Sequence, residues 1–177
     1  MLAGMVKGCF VVAVDLAASP PVCRVSDGEW TSAWVRWHSI AAGKARHWRA
    51  PSMGEQGTLV STSGDVSQGT FIPGLYGNAG PPPDNRDHVE VWRFEDGGSL
   101  VYDWQAKSYT ITLPTGAVTI KVGSTEAVVT DSAVTVTAAN INLKAAVAID
   151  GALHVTKGIT SAGAIIDAGG NSNHHSH

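Results

Sequence analysis

The chain has 177 residues, 44% of them apolar and only 15% charged, against about 25% charged in ordinary soluble domains. Twelve Lys and Arg face fifteen Asp and Glu, giving a net charge of −3 with no charged block. That balance argues against a protein that grips nucleic acid by its phosphates, which needs a concentrated basic face. No apolar run reaches the roughly 18 residues of a membrane-spanning helix. Two cysteines, Cys9 and Cys23, are too few for a disulfide framework and are expected as free thiols. The composition points to a soluble chain made in a reducing cytoplasm, with nothing that marks an enzyme.

In chain order, the first segment loosely mimics a signal peptide, with Lys7 ahead of an apolar stretch, but Asp15 cuts that stretch short. It reads instead as a strand over Lys7–Asp15. Further strands are expected at Val22–Ser26, Trp30–Ile40, Gly57–Ser61 and Gly69–Leu75, then at Val89–Phe94, Ser99–Asp103 and Ser108–Leu113. Turn chemistry separates them, notably Asp27-Gly28, Gly64-Asp65 and Asp96-Gly97-Gly98. The polar, Pro-rich Gly77–Asp87 reads as an exposed loop. Short strands so punctuated describe a small barrel or sandwich.

All six Trp, three Tyr and three Phe lie at or before Tyr109, and all eight Pro at or before Pro114. Beyond that point the chain is a narrow mixture of Ala, Val, Thr, Gly and Ile. Apolar residues two apart recur there: Val118 and Ile120, Val134 and Val136, Ile141 and Leu143, Val147 and Ile149, Leu153 and Val155. Period-two spacing puts each pair on one face of a short strand, the pattern of a β-solenoid or an intertwined β-prism. Ordering the backbone costs about 1–2 kcal/mol per residue, which a Val/Ala core of this size cannot offset alone. Burial between chains supplies the difference, and three chains wound about one axis form the smallest closed set. An obligate homotrimer with a slender stem is the expectation.

The chain ends His174-His175-Ser176-His177. His175 and His177 point to one side of an extended strand, and His174 to the other. On a threefold axis two such histidines per chain present six imidazole nitrogens, which suits octahedral Fe, Ni, Cu or Zn and leaves no open position for substrate. The bland alternative is a frayed tail. Of the other histidines, His38 is expected as a packed core or interface group and His47 to lie on a solvated basic face. Trp30, Trp34 and Trp37 read as barrel core or interface. The competing reading is a stacking platform for single-stranded nucleic acid or glycan. The acidic balance of residues 1–114, nine basic against eleven acidic, weakens it. A metal-dependent cell-wall hydrolase would need an open coordination site and a nearby acid, and neither is evident.

Over nearly its whole length the chain resembles the baseplate assembly protein V family, the central spikes of contractile-tailed bacteriophages. The resemblance runs through Gly8-Cys9-Phe10-Val11-Val12-Ala13-Val14-Asp15, Asp27-Gly28-Glu29-Trp30-Thr31 and Trp34-Val35-Arg36-Trp37. It continues through Pro51-Ser52-Met53-Gly54-Glu55-Gln56-Gly57, Gly74-Leu75-Tyr76, Phe94-Glu95-Asp96-Gly97 and Val101-Tyr102-Asp103 to the terminal His-Ser-His. It implies an all-β chain: an OB-fold domain over 1–113, a triple-stranded β-helix stem over 114–168, and a tip over 169–177. There one iron ion per trimer would be held by His175 and His177 of each chain. It further implies a non-enzymatic trimer bound to tail-tube and baseplate proteins in the virion. Such a spike is assembled in the host cytoplasm, binds no nucleic acid, and is driven through the host outer membrane. The equivalent spike of a contractile bacteriocin or a type VI-like secretion machine shares every one of these features.

Overall fold

The computed structural model describes residues 6–163, which are all-β apart from one 3-10 turn at Val66–Gln68. They divide into two compact units, the first ending at Gly116 and the second starting at Ala117.

The first unit opens with β1 (Val6–Asp15), β2 (Val22–Ser26), β3 (Arg36–Trp37), β4 (Gln56–Val60) and β5 (Thr70–Pro73). They form one sheet in the order β2-β1-β4-β5-β3, antiparallel except where β3 runs parallel to β5. Cys23 and Val35 exchange backbone hydrogen bonds of 2.9 Å in both directions, joining β2 to the segment before β3. The sheet is thereby a nearly closed barrel. Its core is Cys9, Val11, Cys23, Val25, Val35, Leu59 and Phe71, with Val14, Trp30, Trp37 and Val66 packed against it. Cys9 and Val11 point inward by simple alternation. A bulge between Val11 and Ala13 then shifts the phase, so Val14 opposite Cys23 turns inward where Ala13 otherwise would. Gly57 lies on β4 because a Cβ there would sit 2.3 Å from the Ile72 carbonyl and 2.5 Å from the Phe71 ring.

The long strand expected over Trp30–Ile40 is reduced to Arg36–Trp37. The Asp27 carboxylate accepts from the backbone N–H groups of Glu29 and Trp30, at 3.1 and 3.0 Å, and turns the chain sharply. Ser32 is then buried under β2, its hydroxyl accepting from Val25 N–H at 3.0 Å and donating to the Ala33 carbonyl. Side-chain hydrogen bonds stand in for the ladder over this stretch. The bridges Ser26–Thr31 and Cys23–Val35 and the bond from Ser32 N–H to the Val25 carbonyl, 2.8 Å, remain of it.

A three-stranded antiparallel sheet completes the first unit: β6 (Val89–Arg93), β7 (Ser99–Asp103) and β8 (Ser108–Thr112). The Pro-rich loop before it is tied down by Arg86, which pairs with Asp84 at 2.8 Å and with Asp103 of β7 at 3.3 Å. The Arg86 guanidinium and neighbouring N–H groups hold the Asp84 carboxyl well below the usual carboxylate range.

The second unit is a meander of β9 (Val118–Val122), β10 (Thr125–Val129) and β11 (Val134–Thr137), in the order β11-β10-β9. A two-residue Gly123-Ser124 turn with Gly123 at φ 58 joins the first pair. Thr130 closes the second, its hydroxyl accepting from Ala133 N–H at 3.1 Å. After Thr137 the described residues form no strand.

Candidate trimerization surface

The register of the second unit sorts its side chains into two unlike faces. Val129 lies between Val118 and Val134, and Ala127 lies between Ile120 and Val136. With Val122, which stands opposite Thr125, they make a largely apolar face. The other face carries Thr119, Lys121, Glu126, Thr135 and Thr137 around a single apolar residue, Val128, and Lys121 Nζ meets Glu126 Oε2 at 3.2 Å across the ladder. In a water-facing sheet the apolar face would be packed on a core. Here it is open: Ile120 is 66% exposed, Val122 75% and Val134 71%.

The same pattern continues without its ladder. Ile141, Leu143, Val147, Ile149, Leu153 and Val155 keep their two-residue spacing, and all are exposed in the single chain. Backbone donors and acceptors in a strand-like segment require partners, and exposed apolar rows require cover. Among the described residues this segment finds neither. Further strands of the same kind, contributed by other copies, satisfy both needs at once.

Of the five apolar pairs in the sequence, Val118/Ile120 and Val134/Val136 lie on β9 and β11, while the three later pairs lie outside single-chain strands. Strand β10 went unmarked because its inward residues include Thr125 and Ala127, too small or too polar to register as an apolar pair. Its signal was the turn at Gly123.

His175 and His177 lie outside the described residues, as do residues 164–168 of the expected stem and the whole tip. Among the described residues no group of three or more His, Cys, Asp or Glu is placed to hold a metal ion. His38 is exposed in the single chain and so is not a core group, with Nε2 2.9 Å from the Thr70 hydroxyl. His47 is half-buried, its ring edge-on to Trp92 at 5.9 Å. The tryptophans of the competing stacking platform are dispersed: Trp30 lies under Lys7, Trp34 under Arg24, and Trp37 against Trp48 at 5.8 Å. Trp30 and Trp37 pack against the barrel core. Cys9 and Cys23 are both buried free thiols, and burial pushes Cys23 up to about 11.

A small barrel followed in sequence by strands whose apolar rows stay open among the described residues fits a class: a barrel domain joined to an oligomeric β-helical shaft. Residues 7–76 match the family described as type VI secretion system/phage-baseplate injector OB domain. Residues 90–161 match Gp138, beta helical trimerization domain. The chain is also 30% identical over 175 residues to the spike protein of Escherichia phage P2, covering 96% of this chain and 82% of that protein. The chain belongs to the family of that phage spike protein.

Proposed function

We propose that this chain is the structural, non-enzymatic spike at the centre of a contractile-tail baseplate, working as a homotrimer that pierces the host outer membrane when the tail contracts. The observation that carries it is the open Val/Ile face of β9–β11, continued by the unladdered pairs from Ile141 to Val155. Three copies wound together cover these rows and close the strand edges that a lone chain would leave. A closed cross-section of slim residues is narrow and resists unravelling, which is what a piercing element needs. The relative is a phage protein, which favours the virion baseplate as its place over a secretion machine. Tail-tube and baseplate proteins are its expected partners, and host cytoplasm its site of assembly.

The reading includes a tip in which His175 and His177 of three chains hold one iron ion. The donor chemistry fits: imidazole suits first-row transition ions, and six ligands fill an octahedral shell. A bound ion there would cross-link three chain ends where fraying is otherwise expected. Each imidazole must be neutral to bind, so metal occupancy falls as pH drops below about 6.5.

Light scattering with elemental analysis of the same peak tests both parts. A three-chain mass with one iron per three chains is expected. The double variant His175→Ala, His177→Ala keeps the trimer and loses the metal. Stoichiometric iron in that variant refutes the tip, and a one-chain mass refutes the spike.

A further inference from the structure

The sheet β6–β7–β8 carries a second open apolar face, of different composition. Its register aligns Glu90 with Tyr102 and Tyr109, and Trp92 with Leu100 and Ile111. Alternation places all six on one side. On the opposite side Val89, Val91, Val101 and Asp103 are half-buried, and Arg86 from the preceding loop reaches Asp103 there, while Arg93, Ser108, Thr110 and Thr112 are exposed. The sheet therefore turns its smaller apolar residues toward cover and its Trp and Tyr toward water, the reverse of the usual arrangement for a sheet with one wet face.

The open face is ordered. Trp92 is held edge-on by His47 and donates from Nε1 to Glu90 Oε1 at 3.1 Å. Tyr102 and Tyr109 lie with ring centroids 6.3 Å apart. Between them is a depression of about 370 Å³ lined by Glu90, Trp92, Leu100, Tyr102 and Tyr109. Aromatic side chains bury about 150–250 Å² each when covered, so a face of three is a large unfilled contact.

The composition break near Pro114 assigns this sheet to the barrel domain, yet the trimerization match begins at residue 90, inside β6. The aromatic face thus lies inside the matched trimerization region. We infer that the Trp92–Tyr102–Tyr109 face packs against the same face of two other copies, forming an aromatic layer of the trimer interface. This rests on the trimeric reading above and extends it to residues outside the repeats.

The chain has three tyrosines, and they supply an internal comparison. Tyr76 and Tyr109 are almost equally exposed in the single chain, 66% and 62%. The native full-length protein is treated with tetranitromethane, its mass being read by light scattering on the same sample. A three-chain mass is expected, with Tyr76 nitrated and Tyr102 and Tyr109 slower by about tenfold or more. A three-chain mass with Tyr109 nitrated as fast as Tyr76 overturns this assignment while sparing the trimer, and leaves the face open to a different protein. A one-chain mass overturns the trimer itself, and this layer with it. In a second arm, Tyr109→Arg lowers the guanidinium midpoint for trimer dissociation relative to Tyr76→Arg, because only the former brings three cations together. Equal midpoints would count against the layer.

Discussion

Truncating Leu143 tests the burial argument at one point. Leu143 lies beyond the last single-chain strand and is 68% exposed. Fully burying a leucine side chain contributes about 1.5–3 kcal/mol, so covering the exposed two-thirds contributes about 1–2 kcal/mol per chain. The substitution occurs in every copy, so Leu143→Ala weakens a trimer by about 3–6 kcal/mol in total. At 1.4 kcal/mol per tenfold, the trimer dissociation constant rises by about 10²- to 10⁴-fold. Sedimentation equilibrium over a dilution series reads this directly. Lys144 is the control, since alternation turns it to the other side, and Lys144→Ala is expected to stay within about 0.5 kcal/mol per chain. If both variants dissociate at the same concentration, Leu143 does not face its neighbours and the reasoning from periodicity is wrong.

Two further outcomes follow from the barrel. Burial raises both thiols, Cys23 to about 11, with Cys9 and Glu55 nearby adding to the effect. Neither Cys9 nor Cys23 is therefore expected to react with Ellman's reagent in the native protein at pH 8, and both should react in guanidinium. Rapid native labelling would contradict the packing of the core. Burial pushes the Glu55 carboxyl up, but the Arg49 guanidinium, bonded at 2.5 and 2.9 Å, and the Ser52 N–H outweigh it and hold it below its usual value. A depressed carboxyl stabilises the fold above its unfolded pKa, about 4.3, and that contribution is lost as pH falls through the lower folded value. Wild type should exceed Glu55→Gln in urea midpoint at neutral pH, with the gap closing in acid. A gap independent of pH would refute this.

Strands with clean alternation were legible, and Val22–Ser26 and Ser99–Asp103 run between the residues expected. The failure at Trp30–Ile40 has a definite cause. Its alternation is real, but the Asp27 turn and the Ser32 hydroxyl satisfy the backbone by side-chain hydrogen bonds that spacing alone does not reveal. The surroundings of His38 and His47 were not legible for a related reason, since their neighbours Thr70 and Trp92 are remote in sequence. The stem was legible as a period because the pairs at 141–155 repeat on the chain itself. Their hydrogen-bond partners were not, because on the trimeric reading those partners belong to other copies.

The two faces of the stem also decide how such a shaft meets a bilayer. With Val118, Ile120, Val129 and Val136 turned inward, the outer surface over β9–β11 is Thr119, Lys121, Glu126, Thr135 and Thr137, with Val128 alone among them. A shaft that exposed its Val/Ile rows would lodge in hydrocarbon. One that exposes charge and hydroxyl gains nothing by staying, since each buried Lys or Glu there would have to be desolvated. Passage must then be driven by external work, as tail contraction supplies, and not by affinity for lipid. The intact trimer is accordingly expected not to float with phosphatidylethanolamine/phosphatidylglycerol vesicles in a density gradient. The Leu143→Ala chain, diluted to where it dissociates, should float because its apolar rows are uncovered. Flotation of the wild-type trimer would mean that the apolar rows face outward, and the assignment of inner and outer faces would have to be reversed.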